Sequence, residues 1–163
     1  MKLAILSDIH DNVWKLEAAL KRAQELEAEA LICCGDLCAP FVVPQLAEGF
    51  PGEVHVVFGN NDGDGFRIAQ QAARYPNVKL HGEFAELQFD DKRFAVTHFP
   101  EIARALAHSG RYDVICYGHD HRFFVGREGS ALLINPGEIM GRFGRSTFVL
   151  YDTQTDEARR VDV

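Results

Sequence analysis

Five apolar, strand-like runs in this chain stop abruptly at polar patches, a pattern that dictates an α/β architecture with one polar edge. The patches are Asp8-Ile9-His10, Gly35-Asp36, Gly59-Asn60-Asn61-Asp62, Thr97-His98 and Gly118-His119-Asp120-His121. A strand that is apolar without alternation is buried on both faces, as in parallel sheets covered by helices. The first unit is explicit. Residues 3–6 form such a strand, Asn12 caps a helix predicted over residues 13–29, and residues 31–34 form the next strand. Leu16, Ala19, Leu20, Ala23 and Leu26 recur at helical spacing between them. This is a strand–helix–strand crossover, which places the two strands parallel.

Further along, helices are expected over residues 41–48, 67–74 and 102–108, with buried strands over 54–58 and 114–117. Residues 84–89 and 93–96 flank Asp90-Asp91-Lys92 as a hairpin. Residues 123–127 pair with 131–134 around Glu128-Gly129, and 147–152 with 158–161. A parallel first half and an antiparallel second half predict two packed mixed β-sheets flanked by helices. No linker interrupts the pattern, so one domain is expected over residues 1–163.

Composition narrows the function. With 163 residues and 47% apolar content the chain can build a sizeable core, and 25% charged residues without low-complexity stretches exclude extended disorder. A formal net charge of −7 argues against a phosphate-backbone binder, although a small phosphorylated substrate drawn in by metal ions fits it. No apolar run approaches the roughly 18 residues that span a bilayer, and the apolar start before Ser7 is too brief for a signal peptide. Cys33, Cys34, Cys38 and Cys116 contain no CxxC pair. Adjacent Cys33 and Cys34 point to opposite strand faces, which excludes a zinc knuckle, and all four are expected as reduced thiols in a cytoplasmic protein.

From these patches two aspartates, one asparagine and four histidines make up a ligand set for two adjacent metal ions. In α/β sheets the loops beyond the carboxyl ends of the strands converge, so residues far apart in sequence can meet there. Carboxylate, imidazole and amide oxygen without thiolate favour Mn, Fe, Zn, Ni or Co. Two dipositive ions against the charges of Asp8 and Asp36 leave the centre positive, which suits an anionic phosphoryl group. Residues 60–65 imitate the start of a calcium loop, but Gln71 stands where the final Glu is required. His55, His81 and His108 lack ligand-like neighbours and are expected to be ordinary strand, loop or helix residues.

Taken in order, Asp8-x-His10, Gly35-Asp36, Gly59-Asn60-x-Asp62, His98 and Gly118-His119-x-His121 resemble the calcineurin-like metallophosphoesterase signature across most of the chain. Small size and Asn135-Pro136-Gly137 resemble the compact bacterial and archaeal phosphodiesterase branch, to which the retromer scaffold subunit is related. The resemblance implies a four-layer α-β-β-α sandwich. It implies one metal on Asp8, His10, Asp36 and His121, and a second on Asp36 as bridge with Asn60, His98 and His119. Manganese heads the candidate ions, and a bridging hydroxide would attack phosphorus in line. The catalytic group so implied is Asn60, Asn61, Asp62 and His98.

The chain departs from that pattern in four places. Asn61 stands where phosphatases carry a proton-donating His, and the loss of a general acid costs on the order of 10²–10⁴-fold in rate. Leu37 replaces the phosphate-contacting Arg of the phosphatases. Phe99 replaces a Gly after His98, and Glu138 replaces a small polar residue after Asn-Pro-Gly. Arg142 and Arg145 nearby are candidate phosphate contacts. The expected activity is hydrolysis of a small phosphodiester. A metal-binding scaffold for protein interaction and a phosphomonoesterase on a nucleotide or sugar phosphate are the alternatives. Apolar helices and Phe123-Phe124 offer a surface for homo-oligomer formation.

Overall fold

Strand β1 (Lys2–Leu6) divides its side chains between two cores. Leu3 and Ile5 pack with one set of buried residues, Ala4 and Leu6 with another, as the period of a strand requires. The computed structural model describes residues 1–163 and continues from β1 through α1 (Val13–Glu25), β2 (Ala30–Cys33), α2 (Val42–Gly49), β3 (Glu53–Val56), α3 (Gly65–Ala72) and β4 (Val78–Leu80). The second half comprises β5 (Phe84–Phe89), β6 (Lys92–Thr97), α4 (Pro100–Ala107), β7 (Val114–Cys116), β8 (Phe123–Glu128), β9 (Ala131–Pro136), β10 (Thr147–Asp152) and β11 (Glu157–Asp162).

The first sheet has the order β11-β10-β1-β2-β3-β4, and the second β5-β6-β7-β9-β8. Strands β1 to β4 run parallel, while β10 pairs antiparallel with β1, and β11 antiparallel with β10 at the edge. Leu3, Ile5, Ile32, Phe94, Val114, Ile134 and Val149 fill the space between the sheets. Leu16, Leu20, Leu46 and Ile68 of α1 to α3 cover the outer face of the first sheet, and Ala103 and Ala107 of α4 cover that of the second. The layers are therefore helix, sheet, sheet, helix.

Three expectations need correction. Helix α1 ends at Glu25 instead of residue 29, because Glu27 adopts a left-handed φ of 61° and turns the chain into β2. The second half is not antiparallel throughout. Strands β6, β7 and β9 run parallel, because α4 returns the chain to the same end of the sheet, and only β5 and β8 at the edges run antiparallel. Strand β4 was not anticipated; its three residues carry too little pattern to read. Asn12 does cap α1, its side chain accepting the Lys15 N–H at 3.2 Å.

Candidate metal centre

Parallel β1, β2, β3, β6 and β7 deliver all five polar patches to one edge of the sandwich. There the chain must turn sharply while its side chains point inward. Asp8, His10, Asp36, Cys38, His119 and His121 all adopt positive φ, between 44° and 77°. Left-handed backbone in non-glycine residues costs of order 1 kcal/mol each and clusters where function demands it. Two motif glycines serve close approach. A Cβ on Gly59 would lie 2.2 Å from Asp36 Oδ1, and one on Gly118 would lie 2.0 Å from Ser7 Oγ.

The side chains form two sets. In the first, His10 Nε2 lies 3.6 Å from Asp8 Oδ1 and 3.5 Å from Asp36 Oδ2, and His121 Nε2 lies 3.4 Å from Asp8 Oδ1. In the second, Asn60 Oδ1 faces His119 Nδ1 at 2.8 Å and His98 Nε2 at 3.1 Å, while His98 Nε2 lies 3.3 Å from Asp36 Oδ2. One carboxylate oxygen of Asp36 thus faces both sets. Asp8 and Asp36 are fully buried, and His98 with them.

In three of the histidines the inward nitrogen is fixed by the contact its partner nitrogen makes. His10 Nδ1 meets Cys38 Sγ at 3.4 Å, His98 Nδ1 donates to the Cys34 carbonyl at 2.7 Å, and His121 Nδ1 donates to Glu138 Oε2 at 2.8 Å. Such outer partners orient metal-binding imidazoles. Asp62 does not face either set. Its oxygens accept the backbone N–H groups of Gly59, Cys38 and Asp36 at 2.6, 2.7 and 3.1 Å, binding the β2 and β3 loops together, and burial raises its pKa.

Asn61 donates to Asp36 twice, through its backbone N–H at 2.7 Å and its amide at 2.8 Å. Burial alone would push the Asp36 carboxyl up, yet His98 and these two donors hold it well below the usual carboxylate range. His10 is raised to about 10, first by Asp8 and then by Cys38.

These residues fit metal ions. Asp8 Oδ1 and His10 Nε2 are buried without any hydrogen-bond partner, although buried polar atoms are normally satisfied. The nitrogen–oxygen separations of 3.3–3.6 Å are long for hydrogen bonds. They approach the edge of a tetrahedron around an ion with bonds of about 2.1 Å, roughly 3.4 Å. Asp8, His10 and His121 form one triad able to hold an ion, and Asp8, Asp36 and His98 another.

Glu138 and Cys38 are site residues whose roles sequence reasoning missed. The available signal for Glu138 was an acidic residue directly before apolar Ile139-Met140, since a charge that is buried demands a partner. Of the candidate phosphate contacts, Arg142 lies over the Phe143 ring, which packs 5.2 Å from the His121 ring. Arg145 is paired instead with Asp162 at 2.7 Å. Phe99 packs 5.3 Å from both His98 and His119. His55 and His81 stack on each other and share a 3.0 Å hydrogen bond, while exposed His108 meets Glu128.

Residues 1–156 match the calcineurin-like phosphoesterase superfamily domain. The chain belongs to that superfamily. A phosphodiesterase of Methanocaldococcus jannaschii, MJ0936, is 30% identical over 99% of this chain and 98% of its own length. An archaeal phosphodiesterase structure superposes with a TM-score of 0.93 at 29% identity, covering 100% of both chains. The phosphoesterase YfcE of E. coli has a TM-score of 0.71 at 20% identity, covering 99% of this chain and 98% of its own. Vps29 of Entamoeba histolytica has 0.69 at 17%, covering 100% of this chain and 99% of its own. The last two share the superfamily fold. The helix–sheet–sheet–helix layering is that of the superfamily, and the clustered carboxylates and imidazoles fit its divalent-metal chemistry.

Proposed function

We propose that this superfamily member is a dinuclear-metal phosphodiesterase acting on a small diester in the cytoplasm. The carrying observation is Asp36 Oδ2, which lies 3.5 Å from His10 Nε2 and 3.3 Å from His98 Nε2 and so faces both ligand sets. Asp8, His10, Asp36 and His121 would hold one ion, and Asp36, Asn60, His98 and His119 the other. Manganese is our first choice among Mn, Fe, Zn, Ni and Co, the ions that suit carboxylate, imidazole and amide oxygen. Two bound divalent ions would supply Lewis acidity for the phosphoryl oxygens and lower the pKa of water towards neutrality.

The chain's own residues support a diester over a monoester. Leu37 is buried in the helical core, so no basic side chain follows Gly35-Asp36 to grip a dianionic monoester. Asn61 cannot donate a proton as a general acid, which favours esters with good leaving groups. Phe99 and Phe143 flank the two histidine sets. Exposed Trp14, Phe41, Phe66, Ile102 and Phe123 each follow a proposed ligand by two to six residues. Large apolar residues gathered on one exposed edge mark a binding surface. They support a diester whose substituents are flat or apolar.

The test is hydrolysis of bis(p-nitrophenyl) phosphate by metal-stripped protein refilled with Mn, Ni, Fe or Zn. Hydrolysis should return with at least one ion. If every ion binds and none restores hydrolysis, the diesterase reading is wrong and a binding scaffold takes its place. No helix is long and apolar enough to cross a membrane, and the four free cysteines suit a reducing compartment.

A further inference from the structure

Glu138 uses both carboxylate oxygens, and it uses them in opposite directions. Oε2 accepts His121 Nδ1 at 2.8 Å. Oε1 accepts the backbone N–H groups of Phe143 at 2.6 Å and Gly144 at 2.9 Å. The side chain is 1% exposed, and a carboxylate so buried is retained only when its oxygens are occupied. Its own backbone is fixed as well. The neighbouring Ile139 and Met140 N–H groups donate to the carbonyls of Ser7 and Asp8, at 3.0 and 2.9 Å, and Thr147 N–H donates to the Glu138 carbonyl at 3.0 Å.

The loop held by Oε1 carries two side chains back to the same histidine. The Phe143 ring lies 5.2 Å from the His121 ring, and the Arg142 guanidinium lies 5.2 Å from the Phe143 ring centre. Ligand, carboxylate and loop therefore form a closed circuit: His121, Glu138, the Phe143 backbone, and the Phe143 ring on His121 again.

We propose that Glu138 is a positioning residue that couples metal binding at His121 to the seating of the 141–144 loop beside the metal centre. Held by Glu138, His121 keeps its proton on Nδ1 and presents Nε2 towards Asp8. The loop N–H groups in turn fix the carboxylate that does the holding. Coupling of this kind is reciprocal: an ion on His121 steadies the loop, and a seated loop tightens the ion. The consequence is that metal loading holds Arg142 and Phe143 more firmly beside the metal centre. This inference rests on the two-metal reading above.

The test combines calorimetric titration with Mn²⁺ alone and timed trypsin cleavage after Arg142, mapped by mass spectrometry. Wild-type protein should bind two ions, and Mn²⁺ should slow that cleavage. In Glu138→Gln, one amide oxygen cannot serve both the imidazole and the loop, and the amide NH₂ meets donors where an acceptor was. One ion should then bind about 10–100-fold more weakly while the other keeps its affinity, and Mn²⁺ should no longer protect the loop. Should Glu138→Gln fail to fold, His121→Ala gives the same reading from the other side. Metal-free His121→Ala should be cut after Arg142 faster than metal-free wild type. Wild-type affinity for both ions in folded Glu138→Gln, or wild-type cleavage in His121→Ala, overturns the coupling. Wild-type protein that binds no Mn²⁺, Zn²⁺ or Ni²⁺ overturns the metal reading itself, a result distinct from either variant's.

Discussion

His98 turns its Nδ1 to the Cys34 carbonyl oxygen at 2.7 Å, and this contact leaves Nε2 to face Asp36 at 3.3 Å and Asn60 at 3.1 Å. Cys34 follows β2 directly, so the strand backbone itself sets the tautomer of an imidazole 64 residues away. His10 takes its orientation from a thiol and His121 from a buried carboxylate. Three histidines are aimed by three different outer partners, and each partner lies on a loop that the parallel strands deliver.

Asp36 Oδ2 faces both proposed ligand sets, so Asp36→Asn should remove metal from both. An amide there keeps one oxygen but loses the negative charge and clashes with the Asn61 amide donor, now 2.8 Å from the acceptor it needs. Metal content measured after dialysis should fall from two ions towards none. Diester hydrolysis should drop by more than the ~10–100-fold that loss of an outer hydrogen-bond partner costs. Retention of both ions would contradict the bridging role.

Asp62 contributes through the backbone. Asp62→Ala would strand the N–H groups of Gly59, Cys38 and Asp36, three donors now bound to one carboxylate. Hydrogen bonds to a charged group contribute about 1.5–3 kcal/mol each, so a loss of about 3 kcal/mol or more is expected. Thermal denaturation of metal-free protein should show it as a clear fall in Tm. A Tm within a degree of wild type would show that the loops hold themselves.

Much of this site was legible from strand ends alone. Asp8, Asp36 and His98 follow apolar runs, and parallel strands gather such ends by topology. Asp62 also lies in a recognisable motif, yet its work on three backbone N–H groups depends on the left-handed turns at Asp36 and Cys38, which no periodicity encodes. Glu138 was hidden for a different reason. Its partner His121 lies 17 residues away on the far side of the β8–β9 hairpin, and its other partners are backbone groups without sequence identity. In the fold, the parallel run of β6, β7 and β9 departs from expectation because short strands show which residues are buried but not which way their neighbours run.

In the proposed centre, protons and metal ions would compete for His10. Beside Asp8 and Cys38 its pKa in metal-free protein is raised to about 10, and that proton must leave before Nε2 can bind an ion. Mn²⁺ affinity should therefore climb between pH 6.5 and 9, by up to about tenfold per unit, with proton release seen in buffers of different ionisation enthalpy. The metal-free protein should respond oppositely. A raised pKa stabilises the fold fully below the unfolded value near 6.5, and that contribution is lost as pH rises towards 10. Melting curves of stripped and Mn²⁺-loaded protein should thus diverge with rising pH, and parallel curves would remove His10 from the ligand set.

Asn61 is the last point at which the chain can be tested against its own chemistry. Its amide is spent on Asp36 Oδ2 at 2.8 Å and its backbone N–H on Oδ1 at 2.7 Å, so it steadies the proposed bridge and offers no proton to a departing alkoxide. Asn61→His would restore an acid at the cost of the amide contact, while the backbone contact survives. Turnover of an alkyl diester, whose leaving group needs protonation, should rise by a factor within the ~10²–10⁴ range of general acid catalysis. Turnover of an aryl diester such as bis(p-nitrophenyl) phosphate should change little, because nitrophenolate leaves unaided. The ratio of the two rates is the useful quantity, since weaker metal binding would lower both together. An unchanged ratio with full metal content would mean that leaving-group protonation does not limit this enzyme.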